Sequence, residues 1–368
     1  MNSSSKMQGI ISDRDILIAV ITNIIGVLTL SLPKLIAKET VSSDGWLVII
    51  IGGIISSIFA LFVTKIAANY PNQSFYSYAS YLLSKPIAKI LTLIFTLQYF
   101  CITSFHVRKI SALSHQYLFV NTPIEVISLS FLLAVVYAVS GSRAAIFRLN
   151  ILFFPILIGG WLILILLPLG IVKFEDLLPV FQTDLKGYVK ATYQTIASFG
   201  GFGIVLFYIA LVKNPKNTPK MSAIGVLVPM FLNVILYIIC IATFGNLTTR
   251  NLFFPPFDLS RSVEIPGGFF ERFDSILFAL WTIILFTTTL MAFDITIMTL
   301  MMVFNKIKKM TVIFVLSPLI FLASMLPKSY LELIKLNNYL SQFIVIYLLI
   351  VTLLLGVANK VKGGNQCE

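Results

Sequence analysis

Of 368 residues, 58% are apolar and only 11% are charged, and mean hydropathy is +0.95. A soluble chain carries about a quarter charged residues, so the composition excludes a water-soluble globule and points to a polytopic membrane protein. The net charge of +12 raises nucleic acid as a partner, but the placement of the basic residues gives that charge another origin.

A helix needs about 20 apolar residues to cross a bilayer. Ten segments qualify, near 16–37, 45–69, 87–118, 123–141, 150–169, 189–212, 221–245, 273–304, 311–327 and 339–358. The stretch before the first is polar and no small-residue cleavage site follows it, so the first apolar run is expected to remain as a span. With the N-terminus inside and the segments alternating, the inner side receives 15 basic residues, among them Lys6, Arg143 and Lys309, against three acidic ones. Excess Lys and Arg on the inner side is what orients membrane proteins. The basic balance is thus a topology signal, with both termini expected inside, and nucleic-acid binding is unnecessary to explain it. Cys101 and Cys240 lie in spans and Cys367 in the tail. This is neither a disulfide framework nor a zinc spacing.

Segment one carries Gly26 at its middle and Pro33 two turns later, a mild interruption. Segment two carries Gly52, Ser56 and Ala60 at a spacing of four, a face that lets helices approach closely. The inner loop that follows is expected to hold a short amphipathic helix over 74–83. Segment three has a polar stripe of Thr92, Thr96, Tyr99, Thr103 and His106. At 100° per residue these lie within about 40° of one line about 21 Å long. Such a stripe should not face lipid. It either bonds to neighbouring helices or lines a cavity near Tyr99 and Thr103, with His106 toward the outer end. The outer stretch 170–186, of mixed charge, reads as a solvated loop.

Segment six is the most irregular. Ser198, Gly200, Gly201 and Gly203 fall within six residues, and each glycine costs a helix interior about 1 kcal/mol. Backbone freed at membrane depth is tolerated only where protein buries it or where it lines a cavity. Two readings stand: close helix packing, or a ligand site in which a half-helix N-terminus holds a carboxylate and loose carbonyls hold an ammonium or cation. Interruptions at matching places in segments one and six, each the first of five, point to the inverted repeat of a transporter.

Segment seven has Pro229 and Asn233. The outer loop 246–272 is too rich in Phe and Pro for a solvated linker and is expected to fold back over an outer vestibule; the sequon at Asn246 is too weak to use. In segment eight, Thr287, Met291 and Asp294 share a face. Asp294 is the one acid placed inside a span, where it either serves a proton or cation or partners a neighbouring donor. Segments nine and ten are apolar and close the bundle. No span carries a nucleophile, histidine and acid together. The glycines at 200–203 lack the Lys-Ser/Thr of a phosphate loop. No catalytic residues, metal or cofactor are expected.

Three runs carry a family resemblance: Ile25 to Pro33; Ser74 to Pro86; and Phe254-Pro-Pro-Phe257 followed by Ile265-Pro-Gly-Gly-Phe-Phe-Glu-Arg-Phe-Asp274 and Trp281. The chain resembles the amino acid–polyamine–organocation transporter superfamily. Within it the chain is similar, over nearly its whole length, to the B subunit of spore nutrient germinant receptors. The resemblance implies an integral protein of the spore inner membrane acting with an A subunit and a lipoprotein C subunit. It also implies a small neutral amino acid as ligand, alanine- or asparagine-like, with sugar and potassium as co-germinants.

The reading is therefore an all-α membrane protein of ten transmembrane helices in one polytopic domain, a five-plus-five inverted repeat with helices one and six discontinuous. The expected site lies between helices one, three, six and eight. Gly26 and Val27 offer backbone contacts, Tyr99 and Thr103 a side wall, and Ser198, Phe199, Gly200, Gly201 and Phe202 the break. Thr287 and Met291 form the remaining wall, with Asp294 below. With no charged side chain on these positions apart from Asp294, a neutral amino acid held by backbone is expected. A germinant receptor subunit is the leading function and a secondary amino-acid transporter coupled to H⁺ or Na⁺ the alternative.

Overall fold

The computed structural model describes residues 11–262, 273–304 and 306–363, and every described element is helical apart from one isolated bridge. Of the motif at 265–274, the first eight residues lie outside the described ones, as do Lys6 and Cys367, and Val27 is placed by its backbone alone. The helices are α1 (Asp13–Leu28), α2 (Leu32–Glu39), α3 (Gly45–Ala68), α4 (Phe75–Leu82), α5 (Lys85–Tyr117), α6 (Ile124–Ser140) and α7 (Arg143–Leu166). They continue as α8 (Leu185–Ser198), α9 (Val205–Tyr208), α10 (Thr218–Thr249), α11 (Pro255–Arg261), α12 (Phe273–Val303), α13 (Lys309–Met325) and α14 (Tyr330–Gly363). Among the described residues seven stretches are long and apolar enough to cross a membrane; α6 and α13 are shorter apolar helices, and α1 with α2 form an interrupted one. We call the end of the bundle bearing α4 and the turn at 213–220 inner, and the opposite end outer.

Large apolar side chains cover the outside of the bundle: Ile58 and Phe62 on α3, Phe314 and Leu322 on α13, and Leu353 and Val357 on α14 are all more than half exposed. In water this surface would associate; in lipid it is the solvated face. Together with the spanning helices, it makes the chain an integral membrane protein.

Small residues set the closest approaches inside. A Cβ on Gly52 would stand 2.6 Å from Thr195 of α8, and one on Gly53 would stand 2.4 Å from Met230 of α10. The small face of α3 therefore packs against both helices. α1, α2, α3, α8 and α10 form one packed group, and α5, α6, α7, α12 and α13 a second, with α14 lying against α3, α4, α5 and α8. The expected amphipathic helix of the inner loop is α4, which buries Phe75, Tyr78, Ala79 and Leu82. Phe75 and Phe95 meet Phe207, edge-on or tilted, at 5.1–5.3 Å, so α4 and α5 clamp the inner end of segment six.

At the outer end, Gly245 has φ +71° and ends the membrane helix of α10. The turn aims the Asn246 amide at Thr40 O (3.1 Å) and Ser42 O (2.9 Å), so the nitrogen of the sequon is spent on hydrogen bonds. The described part of the following loop folds back as the sequence suggests. Phe254 and Phe257 are buried in a cluster with Leu30, Ile110, Phe278 and Trp281.

The stretch 170–186 is more than a solvated loop. The buried Asp44 carboxylate accepts hydrogen bonds from Thr183 N and Thr183 Oγ1, both at 2.8 Å, and from Phe181 N. Ser43 Oγ donates to Leu177 O at 2.6 Å. Burial pushes the Asp44 carboxyl up, but the Thr183 and Phe181 hydrogen bonds outweigh it and hold the group below the usual carboxylate range.

Candidate functional site

Segment six changes geometry where its glycines sit. α8 ends at Ser198, Phe199 caps it, the five residues Gly200–Ile204 form a tight 3-10 turn, and only one α-turn, α9, follows before a second 3-10 turn. Glycine lowers the preference for an α-helix, and a 3-10 turn shortens the hydrogen-bond spacing, so this stretch cannot use all its carbonyls internally. One goes outside: Asn23 of α1 donates its Nδ2 to Gly201 O at 2.7 Å. A Cβ on Gly201 would lie 3.1 Å from both Asn23 Nδ2 and Ile24 Cγ1. The glycine thus lets the two interrupted segments touch.

The interruption in segment one is different. α1 stops at Leu28 and α2 begins at Leu32, with Pro33 in its first turn. The turn satisfies itself: Thr29 gives both its N–H and its hydroxyl to Ile25 O, and Ser31 N donates to Leu28 O at 3.0 Å. This break lies about 7 Å along the helix, outward of the Ile24–Gly201 contact. Gly26 is inside α1, where a Cβ would stand 2.5 Å from Thr288 of α12. It serves helix packing.

Beside the segment-six break is a cavity of about 70 Å³. Ser198, Gly200 and Gly201 form one side, Gln98, Tyr99 and His106 of α5 another, with Asn23 of α1 and Ala292 of α12 between. α14 completes it with Asn337, Leu340, Ser341 and Ile344. Gln98 is buried, and its Oε1 has no hydrogen-bond partner. A buried acceptor left unpaired costs about 1–3 kcal/mol, so a ligand donor at this point would recover free energy.

Of the positions expected from the sequence, Tyr99, Ser198, Gly200 and Gly201 meet at the cavity. The others take different places. Thr103 returns its hydroxyl to Tyr99 O at 2.8 Å, and Thr287 bonds to Ile284 O at 2.8 Å. Phe202 packs edge-on against Phe59 with ring centroids 5.5 Å apart, and Phe199 is fully buried in the main core. Met291 is buried beside Asn150, its sulfur 3.9 Å from the amide nitrogen. The stripe on α5 is buried, but much of it serves helix contacts: Thr96 Oγ1 donates to Thr299 Oγ1 at 2.9 Å, and His106 Nδ1 lies 3.4 Å from Thr289 Oγ1. Tyr99 and His106 of the stripe reach the cavity, but the rest of its α5 face, through 98, 102 and 105, is offset from the stripe.

Asn23, Gln98, Asn337 and Ser341 are the side chains that sequence reasoning passed over. Gln98 and Asn23 were legible as lone amides within apolar spans. Asn337 and Ser341 repeat at i, i+4, but Asn337 lies before the expected start of segment ten at 339 and Ser341 only two residues inside it, whereas α14 begins at Tyr330.

Asp294 stands apart, two residues inward of Ala292 and not among the residues that line the cavity. Its Oδ1 is 3.3 Å from Arg143 Nε, and its Oδ2 accepts from Tyr208 Oη at 3.1 Å; Tyr208 Oη also lies 3.2 Å from Met291 O. Asp294 is fully buried, while the Arg143 side chain is 22% exposed. The acid therefore joins α7, α9 and α12 at the inner end. Among the described residues no group of three His, Cys, Asp or Glu could hold a metal ion.

Comparison with known proteins matches the fold and the sequence. The helices superpose on the crystal structure of MhsT in complex with L-phenylalanine with a TM-score of 0.67, over 93% of this chain and 87% of that one, at 13% identity. That likeness concerns the fold alone. The spore germination protein GerLB of Bacillus cereus is 38% identical over 361 residues, 97% of this chain and 96% of the relative. The spore germination protein YndE of Bacillus subtilis is 29% identical over 344 residues, 93% of each. The family model described as spore germination protein, the spore permease family, matches residues 10–333. A polytopic helical membrane protein with a transporter fold, and no enzyme, the chain belongs to the spore germination protein family.

Proposed function

We propose that the chain is the membrane subunit of a spore nutrient germinant receptor, that it binds a small neutral amino acid at the segment-six break, and that occupancy changes its conformation and signals to partner subunits. The observation that carries this reading is the cavity lined on one side by the glycine break and on another by Gln98, whose buried Oε1 has no partner. In this reading Gln98 Oε1 accepts from the ligand ammonium, and the backbone and Ser198 receive the carboxylate. The apolar lining of Ile102, Leu340 and Ile344 takes a short side chain. At about 70 Å³ the cavity suits a ligand of about half a dozen non-hydrogen atoms, which favours alanine-like molecules. Asparagine needs the lining to yield.

The chain is read as one polytopic domain of ten spans in a five-plus-five inverted repeat, with both termini inside the spore inner membrane. Support comes from the ten helical segments, from the two interruptions in the first and sixth, and from the meeting of the inner ends of those segments in an isolated parallel bridge, where Ile11 N donates to Leu211 O and Lys213 N to Ile11 O. The partners are the A and C subunits, with sugar and potassium as co-germinants.

A second reading, a secondary amino-acid transporter coupled to H⁺ or Na⁺, is favoured by the Asp294–Arg143–Tyr208 cluster. Opening the inner end has to part these groups, and a carboxylate that changes partners could carry a proton or cation. Retention of labelled alanine by sealed vesicles holding this chain alone separates the two. Saturable binding that stops near one ligand per protein supports the receptor. Time-dependent accumulation beyond that ratio, abolished by Asp294→Asn, supports the transporter.

A further inference from the structure

The inner end of the bundle carries a groove of about 440 Å³ that belongs to neither the break nor the Asp294 cluster. Leu82 and Leu83, where α4 ends, form one wall. Leu353, Val357 and Val361 of α14 form the other, and Lys362 stands last along it. Spaced at four residues, the three α14 side chains share one helix face, and each is more than half exposed. In a membrane protein such a face belongs to lipid, so its length decides what fits. Nine residues separate Leu353 from Lys362, about 13.5 Å along the helix. One leaflet of a bilayer's hydrocarbon core is about 15 Å deep. The groove is thus about as long as one leaflet is deep.

A second feature sets its end at the level of the lipid headgroups. Tyr81 is half exposed, and its ring centroid lies 6.2 Å from that of Tyr70, which stacks on Tyr78 at 5.7 Å. Tyrosines gather at the boundary between membrane and water. Lys362 joins this cluster: its Nζ donates to Tyr81 O and lies 5.2 Å from the centroid of the Tyr81 ring. Both partners are neutral, so the ammonium is oriented while its charge remains. Among the described residues neither Lys362 nor Lys85, two residues beyond Leu83, forms an ion pair, and no acid lines the groove. Topology asks for lysines at the inner end. It does not ask for one held at the mouth of an apolar groove one leaflet deep.

We propose that this groove binds an anionic phospholipid. One acyl chain lies between α4 and α14, and Lys362, with Lys85 close by in sequence, attracts the headgroup. A zwitterionic headgroup brings its own cation and gains less from the same lysines. The site is separate from the break, and it holds whether the chain is a receptor or a transporter.

The full chain is reconstituted in nanodiscs of equal phosphatidylcholine and phosphatidylglycerol and transferred to mild detergent, and the lipids that stay bound are counted by native mass spectrometry. Retention of a single phosphatidylglycerol in preference to phosphatidylcholine is expected. Lys362→Gln keeps a donor for Tyr81 O and removes the charge, so it should lower the preference several-fold, the scale of one basic residue at a membrane surface. Lys362→Arg should preserve it. Val357→Trp fills the groove from an exposed position and should lower retention of both lipids several-fold. Leu322→Trp, similarly exposed on α13, should change nothing. Equal retention of the two lipids by the parent overturns the proposal. So does a preference indifferent to Lys362→Gln, or retention indifferent to Val357→Trp. Recovery of a lipid-free dimer that Val357→Trp dissociates would make the groove a contact between two copies of the chain and overturn it as well.

Discussion

Gln98 carries an internal conflict that a ligand donor would relieve. Its Oε1 is buried and unpartnered, so replacement by an apolar side chain of similar length removes a cost to the empty protein. Gln98→Met is expected to raise thermal stability by about 1 kcal/mol while weakening amino-acid binding by about tenfold. Parallel melting and equilibrium binding measurements check this, and a loss of both would mark Gln98 as structural. Gly201 behaves in the opposite way. An alanine there meets Asn23 and Ile24 at 3.1 Å, so α1 must give by a few tenths of an ångström. Gly201→Ala should reduce the ligand response several-fold, and Gly201→Leu should abolish it while the chain still inserts. Quantitative binding with surface-labelled protein tests both. Gly201 was legible from its neighbours, because three glycines in four positions have few uses at membrane depth. Gln98 stood out only as a lone amide in an apolar span and was passed over: the periodicity of the threonines drew attention to a face that mostly serves helix packing, and a threonine can satisfy its hydroxyl on its own helix as Thr103 does.

Two element ends hold the bundle in its present state. At the outer end Asp44 ties the α2–α3 turn to the loop before α8. Because its carboxyl is held below the usual range in the folded protein, it adds stability that is fully present above about pH 4, the ordinary aspartate value, and lost as pH falls through the folded value. Asp44→Asn should therefore cost about 1–3 kcal/mol near neutral pH, and the difference from the parent should vanish in strong acid. Melting curves across pH decide this. At the inner end, Asp294→Asn leaves Arg143 without its ion pair. Breaking a fully buried pair costs about 3–5 kcal/mol, and the partial exposure of Arg143 brings the expected loss nearer 1–2 kcal/mol. Cysteine labelling from the inner side should rise in the same variant, since α7, α9 and α12 lose a shared contact. Hydropathy placed the interrupted helices, but the position of the first break was displaced from Gly26 to Thr29–Ser31. The reason is local: Gly26 is needed for contact with Thr288, and Pro33 starts a new helix more readily than it disrupts an old one.

On the scale of the whole molecule, the cavity lies where the two packed groups of helices and α14 meet, so a ligand there touches elements that can move against one another. Asn23 and the glycine turn belong to the first group, Gln98, Tyr99 and Ala292 to the second, and Asn337 and Ser341 to α14. Ligand contacts that differ between two arrangements of these groups shift the balance between them. The same geometry serves a receptor or a transporter, since fold alone does not assign function. The part played by α14 was hidden in the sequence, because its polar cavity residues straddle the start of the apolar run that identified the span, Asn337 before it and Ser341 just inside. Everything proposed for the break depends on the glycine turn and Gln98 holding a small neutral amino acid between them. Equilibrium binding of labelled alanine, glycine and asparagine to the full chain in nanodiscs, for the parent, Gln98→Met and Gly201→Leu, puts that to the test. Saturable binding of at least one of them is expected, weakened by about tenfold in Gln98→Met and absent in Gly201→Leu. Binding of equal affinity in all three proteins would contradict it.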